Sequence, residues 1–177
     1  MKRFLVCLAV FGALLGAVFW HGIAAADDQA PMTEAHITRI RSNCIDAQAT
    51  LYRLHASDAL QRVNQGQLYE SISTKLMAPF DSRVALARLD GATLVSLATT
   101  YDQQLTAFRT NYQLYEEGMS NLLAMNCTNQ PVAFYDAVAD VRTKRQAVHD
   151  NVVSLQKTIQ DYQNAFESFA KRFEAEK

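Results

Sequence analysis

His55, Ser57 and Asp58 carry the residue types of a base, a nucleophile and an orienting acid. On a helix, side chains two and three positions apart point in different directions, so this trio is not assembled locally. His36 and His149 each stand alone, with no second ligand three or four residues on to complete a metal site. Glu116 with Glu117, and Asp136 with Asp140, are acidic pairs on a polar face, without the loop that calcium requires. The six glycines are isolated from one another, so no phosphate-cradling loop can form. Neither Gly-x-Ser-x-Gly nor His-Glu-x-x-His occurs. We therefore assign no catalytic, cofactor-binding or metal-ligating residue and expect a protein that is not an enzyme.

Cysteine chemistry is the exception. Two of the three cysteines, Cys44 and Cys127, lie beyond the N-terminal apolar stretch. If that stretch directs export, they enter an oxidising compartment and are expected to form one disulfide. The spacing supports this by a separate route. Cys44 and Cys127 lie nearly equal numbers of residues from a turn between 78 and 92, about 50 Å along each of two helices. Antiparallel arms would then hold them at the same height. Asn126-Cys127-Thr128 also fits a glycosylation sequon, which a bridged Cys127 would hinder.

The elements that must position these residues are helices. Three prolines and six glycines in 177 residues are too few for the tight turns of a sandwich or barrel. Pro31, Pro79 and Pro131 divide the chain into long segments, with Thr33 and Asn129 available as helix caps. In the last segment Phe134, Val138, Val141, Arg145, Val148, Val152, Leu155, Ile159, Tyr162, Phe166, Phe169 and Phe173 alternate in steps of four and three. All but Arg145 are apolar, the signature of a coiled-coil seam. Leu94, Ala98, Tyr101, Leu105, Phe108, Tyr112, Tyr115, Met119 and Leu122 keep the same rhythm. The first segment starts in register with Ile37, Ile40, Cys44, Ala47, Leu51 and Leu54, then places Asp58, Gln61 and Gln65 on the seam. Leu60 and Val63 offer another face, and Leu68, Ile72 and Leu76 resume with wider spacing. A register shift or bend between about His55 and Gly66 is expected.

The predicted fold is all-α. An N-terminal apolar signal or anchor helix precedes an elongated antiparallel three-helix coiled-coil bundle. Its long helices span about 33–78, 92–125 and 131–175, with a short helical apex at 80–90. Phe80, Val84, Leu86 and Leu89 are expected to meet Phe166, Phe169 and Phe173 there, closing a rod about 60 Å long. Arg145, the charged residue in the longest seam, is expected to face Glu116 or Glu117, or to extend its head into solvent.

Lys2 and Arg3 precede an apolar run from Phe4 to Trp20, and Ala24-Ala25-Ala26 follows. Small residues at Ala24 and Ala26 mark a secretory cleavage site. Residues 4–26 would also measure about 34 Å as a helix, enough to span a bilayer, so a retained anchor is the competing reading. Either way residues 27–32 form a linker and 33–177 a helical domain outside the cytoplasm: periplasmic, cell-surface or secreted.

The whole chain has 17 basic and 18 acidic residues, and cleavage would remove two of the basic ones. Such a balance gives no drive toward nucleic acid. The leading expectation is a non-enzymatic envelope protein, a spacer, adaptor or protein-interaction module. Its partners would be other envelope proteins or further copies of itself, joined through helices, and the membrane through residues 4–26 if these are uncleaved. The alternative is a carrier or holdase that takes an apolar client into the helical seam where the first segment is imperfect. No cofactor is expected for either.

Overall fold

The computed structural model describes residues 32–175. The signal or anchor reading of residues 1–26, with Ala24 and Ala26, and most of the 27–32 linker lie outside the described residues. All regular structure among the described residues is helical: α1 (Glu34–Ser42), α2 (Cys44–Ser71), a π-helical turn (Ile72–Met77), α3 (Ala78–Leu86), α4 (Ala92–Ala124) and α5 (Pro131–Ala175). No helix among them is long and apolar enough to cross a membrane.

Thr33 caps α1 as its type predicts, its Oγ1 accepting from the His36 N–H at 3.4 Å. The break at Asn43 is a local competition. The Asn43 side chain donates to the Arg39 carbonyl at 2.8 Å and shares it with the Asn43 backbone N–H at 3.2 Å, a competition that short amides favour. At the other end of the first arm the chain stays helical through Pro79. The Ala78 N–H reaches back five residues to the Ser73 carbonyl. This widened turn comes immediately before the proline ring, which crowds the preceding turn of a regular helix.

The register shift expected between His55 and Gly66 is therefore misplaced. α2 runs unbroken through that stretch, and the irregularities fall at Asn43 and at Ile72–Met77. The extra residue of the π turn rotates the face that follows. Tyr69, Ser73 and Met77 point inward, whereas Leu68 and Leu76, expected on the seam, are mostly exposed. The Tyr101 hydroxyl donates to the Tyr69 carbonyl at 3.1 Å, next to the slip.

The short helical apex expected at 80–90 is present as α3, Ala78–Leu86, joined to the first arm through the π turn. The first arm continues to Leu86, and the reversal is confined to Ala87–Gly91. Arg88 takes the left-handed conformation, φ 56°, while the Leu89 N–H bonds the Val84 carbonyl at 3.1 Å. A Cβ on Gly91 would sit 2.5 Å from a Val84 methyl, so this close approach requires glycine.

α4 and α5 are antiparallel and packed along their lengths. Asn111 donates to Asn151 at 2.7 Å, Thr158 to Gln104 at 2.8 Å, and Gly118 lies against Val141 and Lys144. The first arm is antiparallel to α4, from Gln48 bonding the Met125 carbonyl at 2.8 Å to Ser73 bonding Asp102 at 2.6 Å. Two apolar clusters result. One joins Cys44, Tyr115, Met119, Leu122, Cys127 and Phe134; the other joins Tyr69, Met77, Tyr101, Leu105, Phe108 and Leu155.

The expected terminal cluster forms around Phe80, whose ring lies 5.0 Å from Phe166 and 5.7 Å from Phe169. Leu86, assigned to that cluster, is 83% exposed and stands outside it. The α5 cap also differs. Asn126, not Asn129, bonds the turn, its Oδ1 accepting from the Asn129 N–H at 3.0 Å.

Candidate trough between the first and third helical arms

At the base of the bundle, Cys44 and Cys127 stand at disulfide bonding distance, with Cα atoms 5.6 Å apart. Both are buried. Arg41 donates to the Thr128 carbonyl at 3.3 Å, and the Thr128 hydroxyl to the Cys44 sulfur at 3.4 Å. The loop that carries the sequon is thus tied to α1 and α2, with Cys127 enclosed.

Higher up, α2 stays beside α4 and scarcely approaches α5. Its inward residues there are Asp58, Gln61 and Gln65, which cannot fill an apolar seam. A trough of about 610 Å³ opens in consequence. Phe108, Tyr112 and Tyr115 of α4 form its floor, and Val148 and Val152 of α5 line one wall with Arg142, Arg145 and His149. Arg62 of α2 leans over the Tyr112 ring, 5.3 Å from its centre, close enough for a cation–π contact.

The lower end of the trough is a closed polar network. Asp58 Oδ2 accepts from the Tyr115 hydroxyl and from Arg145 Nε, each at 2.7 Å, and Oδ1 accepts from Arg145 Nη2 at 3.0 Å. Burial alone would raise the Asp58 carboxyl, but these hydrogen bonds and the positive charge of Arg145 hold it below its ordinary value. Beside this network, His55 Nε2 lies 2.6 Å from Glu116 Oε1, and the Tyr112 hydroxyl donates to Glu116 Oε2 at 3.1 Å. Burial, then the Glu116 charge and hydrogen bond, push the Tyr112 phenol up to about 12. No buried side-chain polar atom among the described residues lacks a hydrogen-bond partner.

The expected pairing of Arg145 with Glu116 is corrected by this geometry. Asp58 is the acid at the height of Arg145, and Glu116 serves His55 and Tyr112 instead. A sequence signal for it existed: Asp58 and Arg145 are charged residues on two seams, and matching them by height would have paired them. His55, Ser57 and Asp58 do not assemble, since Ser57 faces solvent and the other two bond different partners. His36 is exposed, and Asp140 pairs with Lys144 at 2.7 Å rather than with Asp136. No group of three or more possible metal ligands occurs among the described residues.

Arg62 and Arg142 have no carboxylate partner among the described residues, and Asp58, the acid of the lining, is occupied by Arg145 and Tyr115. The trough combines an aromatic floor with an uncompensated positive wall. Comparison with known protein families, with curated proteins and with solved structures returns no match for this chain.

Proposed function

We propose that this chain is a non-enzymatic, exported or membrane-anchored protein of the cell envelope, an elongated antiparallel three-helix coiled coil that carries an apolar client in its central trough. The trough between α2 and α5 is the observation that carries this reading. Over Asp58–Gln65 the first arm withholds the apolar side chains that would cover Tyr112, Val148 and Val152, which stay partly exposed, and a helical seam left open in this way offers a binding surface. The 4–3 alternation of apolar residues on α4 and α5 supports the coiled-coil description. The N-terminal charge, apolar run and Ala24/Ala26 pair support export.

The test uses a neutral dye, N-phenyl-1-naphthylamine, which fluoresces on entering apolar surroundings. The full-length protein is expected to bind it saturably, and Gln65→Trp, which fills the trough, to abolish most of that binding. A dye-silent protein, or uptake indifferent to Gln65→Trp, overturns the reading. The second measurement keeps the apolar N-terminal stretch from being mistaken for the trough.

A spacer or adaptor role is a second reading, favoured by α5. Its 45 residues run without interruption, about 67 Å, past both the disulfide and the Phe80 cluster. Crosslinking in the intact envelope would capture stable helical partners, other envelope proteins or further copies of this chain, if that role holds. Mass measurement with and without reductant would report both cleavage after Ala26 and the Cys44–Cys127 bond.

A further inference from the structure

Given the carrier reading just proposed, on which this step rests, we infer that the trough's client is a monomeric single-chain amphiphile with a carboxylate head, of the fatty-acid class. Charge selects the head. Arg62 and Arg142 flank the lower and middle trough without acidic partners among the described residues, and the Asp58 carboxylate is consumed by Arg145 and Tyr115. A guanidinium presents two parallel N–H donors to a carboxylate, a geometry a neutral head group cannot use.

Shape selects the tail. From Asp58 to Tyr69 the α2 wall is about 17 Å long, the reach of one medium-length acyl chain. Beside and above Arg62 the apolar lining is Phe108 on the floor with Val148 and Val152 on the α5 wall, a strip one side chain wide. A volume of about 610 Å³ falls within the small-ligand range of about 300–1,000 Å³. Gln61, Gln65 and Gln156 keep the open side wet, so the trough admits the chain from water without exposing a greasy lip.

Competition for the bound dye tests this. Dodecanoate, kept below its micellar concentration, is expected to displace N-phenyl-1-naphthylamine at roughly tenfold lower concentration than dodecanol, the same tail with a neutral head. The double variant Arg62→Gln/Arg142→Gln should collapse that ratio toward one, while Arg83→Gln, exposed on α3, should keep it. Raising the salt concentration should shrink the ratio as well. Equal displacement by acid and alcohol, or a ratio unmoved by the double variant, overturns the carboxylate inference and leaves the trough reading standing. Displacement by anionic vesicles but not by monomeric dodecanoate also overturns it. Absence of trough-dependent dye binding removes both.

Discussion

Around Cys127 and around Asp58 the same two helices, α4 and α5, meet a different third partner. At the base, α2 offers Cys44 and the nearby Ala47 and Leu51, and Met119 and Leu122 become fully buried. A few turns higher it offers Asp58, Gln61 and Gln65, and Tyr112 and Val148 stay partly open. The seam of α4 and α5 barely changes between the two levels. What changes is the third wall. A closed core and an open trough are thus separated along one bundle by the side chains of a single helix.

Breaking the closed region should cost most. Cys44→Ser with Cys127→Ser removes a crosslink spanning 83 residues and should lower unfolding free energy by about 4.5 kcal/mol on the chain-entropy account, read from urea midpoints. Leu122→Ala at the base should cost about 3 kcal/mol, because the void cannot be reached by solvent. Val152→Ala in the trough should cost less than about 1 kcal/mol, since part of that side chain is already in contact with water.

Asp58→Ala falls between Leu122→Ala and Val152→Ala, at about 2 kcal/mol, because it strands the Tyr115 hydroxyl and half-exposed Arg145. Its acid dependence has a definite sign. The folded-state pKa of Asp58 is depressed, so its contribution is present above the unfolded value and is lost as pH falls through the folded one. Wild type should therefore lose more stability below about pH 4 than Asp58→Asn does in the same urea series.

The comparison sharpens in the opposite direction with Gln65→Leu. Supplying the missing apolar wall should stabilise the bundle by about 1 kcal/mol while reducing dye uptake. The smallest effect is expected at Glu70–Arg109. Both side chains are more than two-fifths exposed, and a double-mutant cycle should give under about 0.5 kcal/mol.

Much of this architecture was legible in the residues. Steps of four and three marked α4 and α5, and equal distances from one turn placed Cys44 opposite Cys127. Phe80 found Phe166 and Phe169 because both long arms end at that height. The polar run Asp58, Gln61 and Gln65 announces the open seam, although no bend of the helix accompanies it. A helix whose partner face is polar stays straight when its ladder is intact, so polarity there altered packing and not backbone.

Three features escaped for local reasons. At Asn43 the side chain joins the backbone N–H on the Arg39 carbonyl where α1 gives way to α2, and an asparagine inside a helical pattern does not announce that break. The π turn adds a residue to one helical turn, which shifts the seam after it, so that Met77 points inward where Leu76 was expected, while Ile72 keeps its place against the core. Thr158 is buried although polar because Gln104 across the seam accepts its hydroxyl. Such a pairing is visible only once the two helices are in register.

The first arm is gripped at both extremities, by Cys44–Cys127 below and by Phe80 among the α5 phenylalanines above. Between those clamps Gln61, Arg62, Val63, Asn64 and Gln65 form a run of exposed residues, bounded by the Asp58 network below and buried Tyr69 above. The amides of residues 60–65 should trade deuterium faster than those of α4 lying directly beneath them.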